Sequence, residues 1–235
     1  MQTVSLSFFR FPKGVARAWA FAQMGLARGP MARVPDIGTW KLCGSGVGEG
    51  FTPWPNWGVY AILATWPDLE TAQTRTAEAP VFRRYHDRAE EAFTMFLAAS
   101  SARGRWAGVE PFEVTAEPWT GPTAVLTRAT VKPSRALAFW SQGPSVSRAI
   151  GENTDVRFKI GIGEVPWVQQ VTVSIWPDTA SMARFARGDT PHGRAIRAVR
   201  EGDWFREELY ARFRILATRG TWEGEDPVAN LELAA

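Results

Sequence analysis

Two halves of this chain carry the same short segments in the same order, and this internal repeat is the feature that most constrains the fold. Four pairs of segments match: RAWAF (17–21) with RALAF (135–139), WKLCGSGVGEGF (40–51) with FKIGIGEVP (158–166), ATWPDLETAQ (64–73) with SIWPDTASMA (174–183), and SARGRWAG (101–108) with ATRGTWEG (217–224). The second pair aligns Lys41 with Lys159. One such match arises by chance, whereas four in register indicate two copies of one unit of roughly 110 residues.

Each copy is predicted to have the element order βαββαβ. An alternating strand opens it, at 3–11 and 123–131, and an Ala- and Trp-rich helix follows, around 13–28 and 133–142. Next come a strand that carries the aligned lysine and a strand that ends in Trp-Pro-Asp, whose aspartate is a good cap for the second helix. A closing strand ends each copy. In the second copy every other residue of that strand is apolar, namely Leu209, Ala211, Phe213 and Ile215.

This element order is the split βαβ, ferredoxin-like motif, present twice. The helices of such a unit cover one face of its antiparallel sheet, so the other apolar face must be buried, and two copies achieve this by packing sheet to sheet. We therefore expect an α+β fold in which tandem ferredoxin-like βαββαβ repeats form one pseudo-symmetric domain like a dimeric α+β barrel. The first repeat is assigned to residues 1–107, a Pro- and Gly-rich linker to 108–122 and the second repeat to 123–235.

The composition is that of a globular protein and excludes several partners and sites. There are 27 Lys and Arg against 24 Asp and Glu, and this net charge of +3 is too weak to indicate nucleic acid. Cys43 is the only cysteine, so an internal disulfide and an iron–sulfur centre are excluded. Neither a signal peptide nor a membrane span is evident, so we expect a cytoplasmic protein. The 12 tryptophans suggest walls for a bulky apolar ligand, although core packing is their commoner use.

Most local motifs have an ordinary structural interpretation. The glycines of GSGVGEGF (44–51) resemble a phosphate loop, but no helix follows them, so we expect a glycine-rich bend or bulge. Zinc motifs and serine-nucleophile motifs are absent. His86 lies among charged residues, which predicts a position at the surface or in an ion pair. Two carboxylate pairs are predicted to lie on solvated helix faces: Glu90 with Glu91, and Glu207 with Glu208.

His192 is the strongest candidate for chemistry. Asp189 or Thr190 can cap a helix that begins at Pro191, which leaves His192 in the first turn. Its face of that helix is apolar, with Ala195, Ile196 and Val199. The positive end of the helix dipole favours neutral imidazole, the form that binds metals. A satisfied core histidine is the alternative, and on these residues alone it is the commoner outcome. Haem needs one axial side chain, whereas a bare divalent ion usually needs several protein ligands.

Motifs along nearly the whole chain resemble those of the spheroidene monooxygenase family, the acyclic carotenoid 2-ketolases of purple photosynthetic bacteria. They are MQTVSLSFFRF (1–11), WKLCGSGVGEGF (40–51), YAILATWPD (60–68), PVFRRY (80–85), RFKIGIGE (157–164), TPHGRAIRAVR (190–200) and WFREELYARF (204–213). A set this long, in order, is far more specific than any single motif.

The resemblance implies a monooxygenase that contains haem b and oxidises C-2 of spheroidene and related carotenoids to a ketone, with O2 and electrons from reduced ferredoxin. It makes His192 the expected axial ligand of the iron. The matching segment of the first repeat, APVF (79–82), has no histidine, so one haem is expected per chain, in the second repeat. Four cations are candidates to meet the haem propionates, although for each one alone an outward, solvated charge is the commoner role: Arg157, Lys159, Arg194 and Arg197. No catalytic or distal residue can be assigned.

Carotenoids reside in membranes, so the implied enzyme must collect its substrate there. The segment 14–33 mixes apolar residues with arginines and is suited to rest on an anionic surface, which predicts peripheral contact with the photosynthetic membrane, although its place in the repeat makes it first a structural helix. Two other functions stay open. One is a different haem activity on the same scaffold, such as peroxidase, dismutase or haem-degrading chemistry, and the other is a non-catalytic carrier of haem or apolar ligand. The oligomeric state also stays open.

Overall fold

The computed structural model describes residues 1–48, 50, 52–141, 143, 152–187, 202–231 and 233. In this part of the chain the strands are β1 Thr3–Arg10, β2 Trp40–Gly46, β3 Pro55–Trp66, β4 Glu91–Gly104, β5 Thr123–Val131, β6 Phe158–Gly163, β7 Gln169–Trp176 and β8 Phe205–Gly220. The helices are α1 Val15–Leu26, α2 Arg28–Met31, α3 Leu69–Glu78, α4 Pro80–His86, α5 136–141 and α6 Thr179–Arg187. None of the described helices is long and apolar enough to cross a lipid bilayer.

All of these strands pair antiparallel and close into one barrel, in the order β1-β3-β2-β6-β7-β5-β8-β4. The strand order is therefore the same in both repeats, β4-β1-β3-β2 and β8-β5-β7-β6. At one seam between the repeats β4 pairs with β8 along most of its length. At the other seam β2 and β6 pair only at Gly44 with Gly163 and at Ser45 with Ile162. The predicted α+β class and tandem ferredoxin-like architecture are confirmed.

Every second residue of each strand points into the barrel, where both repeats share one core. Strands of both copies contribute to this core, among them Leu6, Met95, Leu126, Ile160 and Val173. The alternation predicted for the closing strand is confirmed, because Leu209, Ala211, Phe213 and Ile215 are all buried there. Since strand residues alternate between the two faces, the other half of each strand faces outward, toward the helices.

Among the described residues, the apolar clusters outside the two sheets differ in size. Outside the first sheet, α1 to α4 cover a large apolar cluster that includes Phe9, Leu42, Tyr60, Ile62 and Phe96. Outside the second sheet, the described residues form a smaller cluster of Trp176, Met182 and Phe185. The smaller cluster belongs to the second repeat, for which the sequence predicts a cofactor.

Local signals explain where the elements begin and bend. Asp68 accepts a hydrogen bond from the Thr71 N–H at 2.7 Å, and Asp178 accepts one from the Ser181 N–H at 2.6 Å, so both Trp-Pro-Asp segments cap a helix as predicted. The glycine-rich segment contains a β-bulge at 44–45, where the pairing of β2 with β3 shifts register. The predicted bend or bulge is confirmed at this point.

Two expectations about charged segments are wrong. Glu91 begins β4 and Glu207 lies in β8, so these carboxylates belong to strands and not to solvated helix faces. His86 ends α4 half-buried, its ring lies edge-on to Phe9 at 5.1 Å, and it has no ion pair among the residues that the structure describes. Burial is the largest effect on the His86 imidazole and lowers its pKa. Runs of charged residues resemble each other in sequence, whether they form helix surfaces or strand ends.

Candidate functional site

Strand pairing identifies equivalent positions in the two repeats. Trp66 lies opposite Thr3, the first residue of β1, and Trp176 lies opposite Thr123, the first residue of β5. Trp66 and Trp176 are therefore equivalent. Counting back from them matches each outward residue of β3 with one of β7.

The outer face changes in character between the repeats. Tyr60 and Ile62 of β3 belong to the outer apolar cluster, and they are 4% and 0% exposed. Their counterparts on β7 are Gln170 and Thr172, which are half-buried. Short or polar side chains thus replace large apolar ones at the same positions of the fold. A face of this kind contributes less to an apolar core and presents hydrogen-bonding groups that a ligand could use.

Two of the predicted cofactor residues are described, and one of them, Lys159, lies on this outer side of the second sheet. Phe158 and Ile160 of β6 are buried inside the barrel, so the alternation directs Lys159 outward. Lys159 is half-buried, and Arg157, two residues earlier, is exposed. Arg157 directly precedes β6, and its N–H donates to the Ile175 carbonyl at 3.0 Å.

The proposed equivalence of Lys41 and Lys159 is wrong by one residue. Lys41 lies on the same side of β2 as the buried Cys43, inside the barrel, whereas Lys159 faces outward. By register, Lys159 corresponds to Trp40, because each pairs with the residue two positions before the tryptophan that ends the neighbouring strand. A shift of one residue moves a strand side chain to the opposite face, so two similar segments can place their lysines on different sides of the sheet.

The remaining predicted cofactor residues, His192, Arg194 and Arg197, lie outside the described residues. The counterpart of their segment in the first repeat is APVF (79–82), which is described. It begins α4 with Pro80 at the first helical turn. Val81, which matches His192, is 5% exposed and belongs to the outer cluster that contains Ile62. In the first repeat this position therefore faces the sheet.

An aromatic cleft borders the second sheet, where the two repeats meet at β2 and β6. Its volume is about 200 Å³, and α1, α5 and the loops β2–β3 and β6–β7 form its walls. Six aromatic residues line it: Phe21, Trp54, Tyr60, Trp57, Trp140 and Trp167. Polar groups at its base include Ser45, Glu164 and Gln170. Such a mixture of aromatic walls and few polar groups is typical of a site for an apolar ligand.

Close backbone contact holds the β2–β3 loop of the cleft against β6. A Cβ atom on Gly161 would lie 2.3 Å from the Gly50 carbonyl oxygen, so only glycine allows the β2–β3 loop to lie against β6. The Ser45 hydroxyl donates to the Gly161 carbonyl at 2.8 Å across the same seam. The Trp140 indole N–H donates to the Trp167 carbonyl at 2.8 Å. Residues from both repeats therefore shape the cleft.

A charged group lies between the cleft and the barrel interior. The Trp106 indole N–H donates to Glu164 Oε2 at 2.6 Å, and the Lys41 Nζ lies 3.8 Å from Glu164 Oε1. Cys43 is completely buried nearby, and burial, followed by the Glu164 carboxylate, raises the pKa of its thiol far above the ordinary value. This thiol stays protonated at neutral pH and is not a thiolate ligand or nucleophile.

Arg128 and Glu207 complete this group inside the second repeat. The Arg128 side chain is 1% exposed, forms an ion pair with Glu207 and has its guanidinium 5.6 Å from the Trp106 ring. Glu207 also accepts hydrogen bonds from the N–H groups of Ala107 and Gly108, at 2.8 and 2.7 Å. Burial alone raises the Glu207 pKa, but these backbone donors and Arg128 outweigh it and hold the pKa below its usual value.

The first repeat contains a similar group, in which Glu91, Arg10 and Trp222 make contacts like those of Glu207, Arg128 and Trp106. Glu91 pairs with Arg10 and accepts from the Gly224 N–H at 2.8 Å, and the Arg10 guanidinium lies 4.7 Å from the Trp222 ring. Trp222 packs on Phe8 at 6.0 Å, in an aromatic part of the barrel core. The repeated segments SARGRWAG and ATRGTWEG contain both tryptophans, so the repeat could have revealed these pairs. Nothing in the local sequence indicates that Arg128 is buried.

Comparison with known proteins gives one consistent family. The chain is 55% identical over 230 residues to the spheroidene monooxygenase of Cereibacter sphaeroides, which covers 97% of this chain and 71% of that protein. It is 52% identical over 233 residues to the spheroidene monooxygenase of Rhodobacter capsulatus, with 98% and 97% coverage. The spheroidene monooxygenase of Rubrivivax gelatinosus is 32% identical over 213 residues, with 89% and 80% coverage. No family model matches the chain.

Solved structures support the fold. An aldoxime dehydratase in complex with butyraldoxime has a TM-score of 0.59 at 9% identity, covering 91% of this chain and 80% of that one. A second aldoxime dehydratase structure also has a TM-score of 0.59, at 10% identity, with 91% and 81% coverage. Similarity at this identity concerns the fold alone. The sequence relatives carry the classification: this chain belongs to the spheroidene monooxygenase family and is an oxidoreductase.

Proposed function

We propose that this chain introduces a keto group at C-2 of spheroidene and related acyclic carotenoids, with O2 and electrons from reduced ferredoxin, and that haem b bound through His192 supports the reaction. The substrate class follows from relatives named for it that are 52% to 55% identical over nearly the whole chain. The haem and its donor follow from the family resemblance. The site of the haem is the outer face of the second repeat, which we assign to residues 123–235.

The exchange of Tyr60 and Ile62 for Gln170 and Thr172 is the observation that carries this placement. A sheet face that bears the polar Gln170 and the short Thr172 fits a flat macrocycle. The large apolar side chains at the same positions of the first repeat would occupy that volume. Val81 supports His192 as the ligand, because the equivalent position of the first repeat faces the sheet and is buried. Lys159 lies on the outer side of β6 and the exposed Arg157 directly precedes this strand, and such cations pair well with carboxylates such as haem propionates.

Haem bound on this face supplies the electron-transfer and oxygen chemistry of the reaction. The protein's part is to hold a long apolar molecule with one end at that face and to exclude water from it. Two successive hydroxylations of one carbon yield a gem-diol, which loses water to give the ketone. We assign the polyene to the aromatic cleft, because the Trp54 and Trp57 rings offer flat apolar walls next to β6 and β7.

The first test is the visible spectrum of the protein expressed with excess haem precursor. Wild type is expected to hold about one haem per chain and to show a Soret band that responds to reduction and CO. His192→Ala is expected to lose this haem or to show a shifted spectrum. His86→Ala is the matched control, because His86 is the only other histidine and packs against Phe9.

A colourless wild type would contradict the haem proposal, and so would a His192→Ala spectrum identical to that of wild type. Turnover of spheroidene by the loaded enzyme, with reduced ferredoxin and O2, tests the reaction itself. The ketone should form with wild type and His86→Ala and should be absent with His192→Ala. Turnover driven by peroxide alone, or destruction of the haem during turnover, would instead favour a different haem activity.

A further inference from the structure

The water-facing side of α1 is apolar along its whole length. Val15, Phe21 and Leu26 are 87%, 55% and 70% exposed. The other exposed positions of this helix carry small residues: Ala18, Ala22 and Gly25. A surface helix of a globular protein normally turns charged and polar residues to water and apolar ones to the core. On α1 the exposed face lacks every charged side chain, so water is not its natural neighbour.

The other helices of the same repeat follow the ordinary rule. The exposed residues of α3 and α4 include charged side chains, among them Glu70, Glu78, Arg83 and Arg84. The apolar surface of α1 is therefore a local feature of one helix and not a property of the whole repeat.

Exposed tryptophans extend the α1 surface to the mouth of the cleft. Phe21 lies edge-on to Trp57 at 5.0 Å, and Trp54 lies edge-on to Trp167 at 5.9 Å. Trp54, Trp57 and Trp167 are 63%, 51% and 43% exposed. Tryptophan is the residue that membrane proteins place at the boundary between lipid and water, because its ring is apolar and its N–H is polar.

The chain segment that forms the α1 surface is basic. Residues 1–35 contain 5 basic residues and no acidic residue. Lys13, Arg28 and Arg33 are exposed. Within the described part of the chain, these three cations have no ion pair with a carboxylate. Anionic lipid headgroups attract such unpaired cations beside an apolar surface.

We propose that the exposed face of α1, together with Trp54 and Trp57, docks the protein on an anionic lipid bilayer. Val15, Phe21 and Leu26 enter the headgroup region, and Lys13, Arg28 and Arg33 contact anionic headgroups. Docking brings the mouth of the aromatic cleft to the lipid surface, so that an apolar polyene passes from the bilayer into the cleft without crossing water. This last step rests on the proposed function, whereas docking itself rests on the surface alone.

Vesicle flotation of the purified full chain tests the proposal. Wild type should float with vesicles of phosphatidylcholine and phosphatidylglycerol, bind poorly to phosphatidylcholine alone, and dissociate as salt is raised. Val15→Glu/Leu26→Glu should lower the bound fraction about tenfold on anionic vesicles. Val109→Glu/Val114→Glu is the matched control, because these valines of the 108–122 segment are 50% and 55% exposed and the charge change is identical.

The control variant should bind like wild type. Wild type that stays unbound on anionic vesicles would overturn the proposal, and so would equal losses in both variants. Circular dichroism of each variant shows whether the fold is retained. Turnover separates docking from catalysis: Val15→Glu/Leu26→Glu should be slow on spheroidene in anionic vesicles and normal on spheroidene in detergent micelles. Failure of every protein, in micelles as well as in vesicles, would count against the proposed reaction and leave docking to be judged by flotation.

Discussion

The outer faces of the two sheets differ although their strands have the same order and hydrogen-bonding scheme. In the first repeat, Tyr60 and Ile62 are packed in an apolar cluster beneath helices. In the second repeat, Gln170 and Thr172 occupy the same places and are half-buried. Duplication of a fold thus supplies two equivalent faces whose residues can diverge, here from large apolar side chains to polar ones. The polar face is the one to which we assign the proposed haem.

The largest effect is expected from exchanging residues between these faces. Ile62→Thr removes buried apolar contacts and buries a hydroxyl, so it should lower the free energy of unfolding by about 3 kcal/mol. The reciprocal Thr172→Ile should change it by less than about 1 kcal/mol, because Thr172 is half-buried. Urea unfolding measures both. Thr172→Ile should also lower haem occupancy, since it enlarges a side chain on the proposed haem face. Equal destabilisation by the two variants would show that the second face is also packed core.

A second contrast concerns two glutamates that accept hydrogen bonds from backbone N–H groups just after a tryptophan: Glu207, after Trp106, and Glu91, after Trp222. Glu207→Gln leaves the buried Arg128 without its counter-ion and should lower the free energy of unfolding by about 2 kcal/mol. Glu91→Gln should cost about 0.5 kcal/mol, because Arg10 is 31% exposed and also pairs with Glu223. Thermal and urea unfolding of the two variants test this order. If Glu91→Gln lowered the free energy of unfolding more than Glu207→Gln, burial of the arginine would not be what distinguishes the two ion pairs.

The smallest effect is a dependence of this contrast on pH. The Glu207 pKa is lower in the folded protein than its usual value, because backbone donors and Arg128 outweigh burial. Its contribution to stability is therefore complete above the pKa of the unfolded chain, about 4.3, and is lost as the pH falls through the folded pKa. The difference in unfolding free energy between wild type and Glu207→Gln should be constant from about pH 7 to 5.5 and shrink below about pH 4. A difference that stayed constant to pH 3 would contradict this assignment.

Some features could be predicted from the sequence, and others could not. The Trp-Pro-Asp segments predicted both helix caps, whereas a cofactor in the second repeat stays a prediction. The pairing of Lys41 with Lys159 failed, because a similarity of letters does not resolve a shift of one residue. Glu207 was assigned to a solvated helix because it lies in a charged run, whereas tertiary contacts place it against Arg128. The aromatic cleft joins residues from α1, α5 and two loops, which are far apart in the chain.

The sequence by itself determined the order of the elements, the duplication and the family, because periodicity, capping residues and long motif series are local properties of the chain. Only the tertiary structure decided which side of the sheet Lys41 and Lys159 face, which strands pair at the two seams between the repeats, and that α1 exposes an apolar surface. These depend on strand register and on packing between distant segments. A single-residue shift in register reverses a side chain, and a helix has an inner and an outer face only once its sheet is in place.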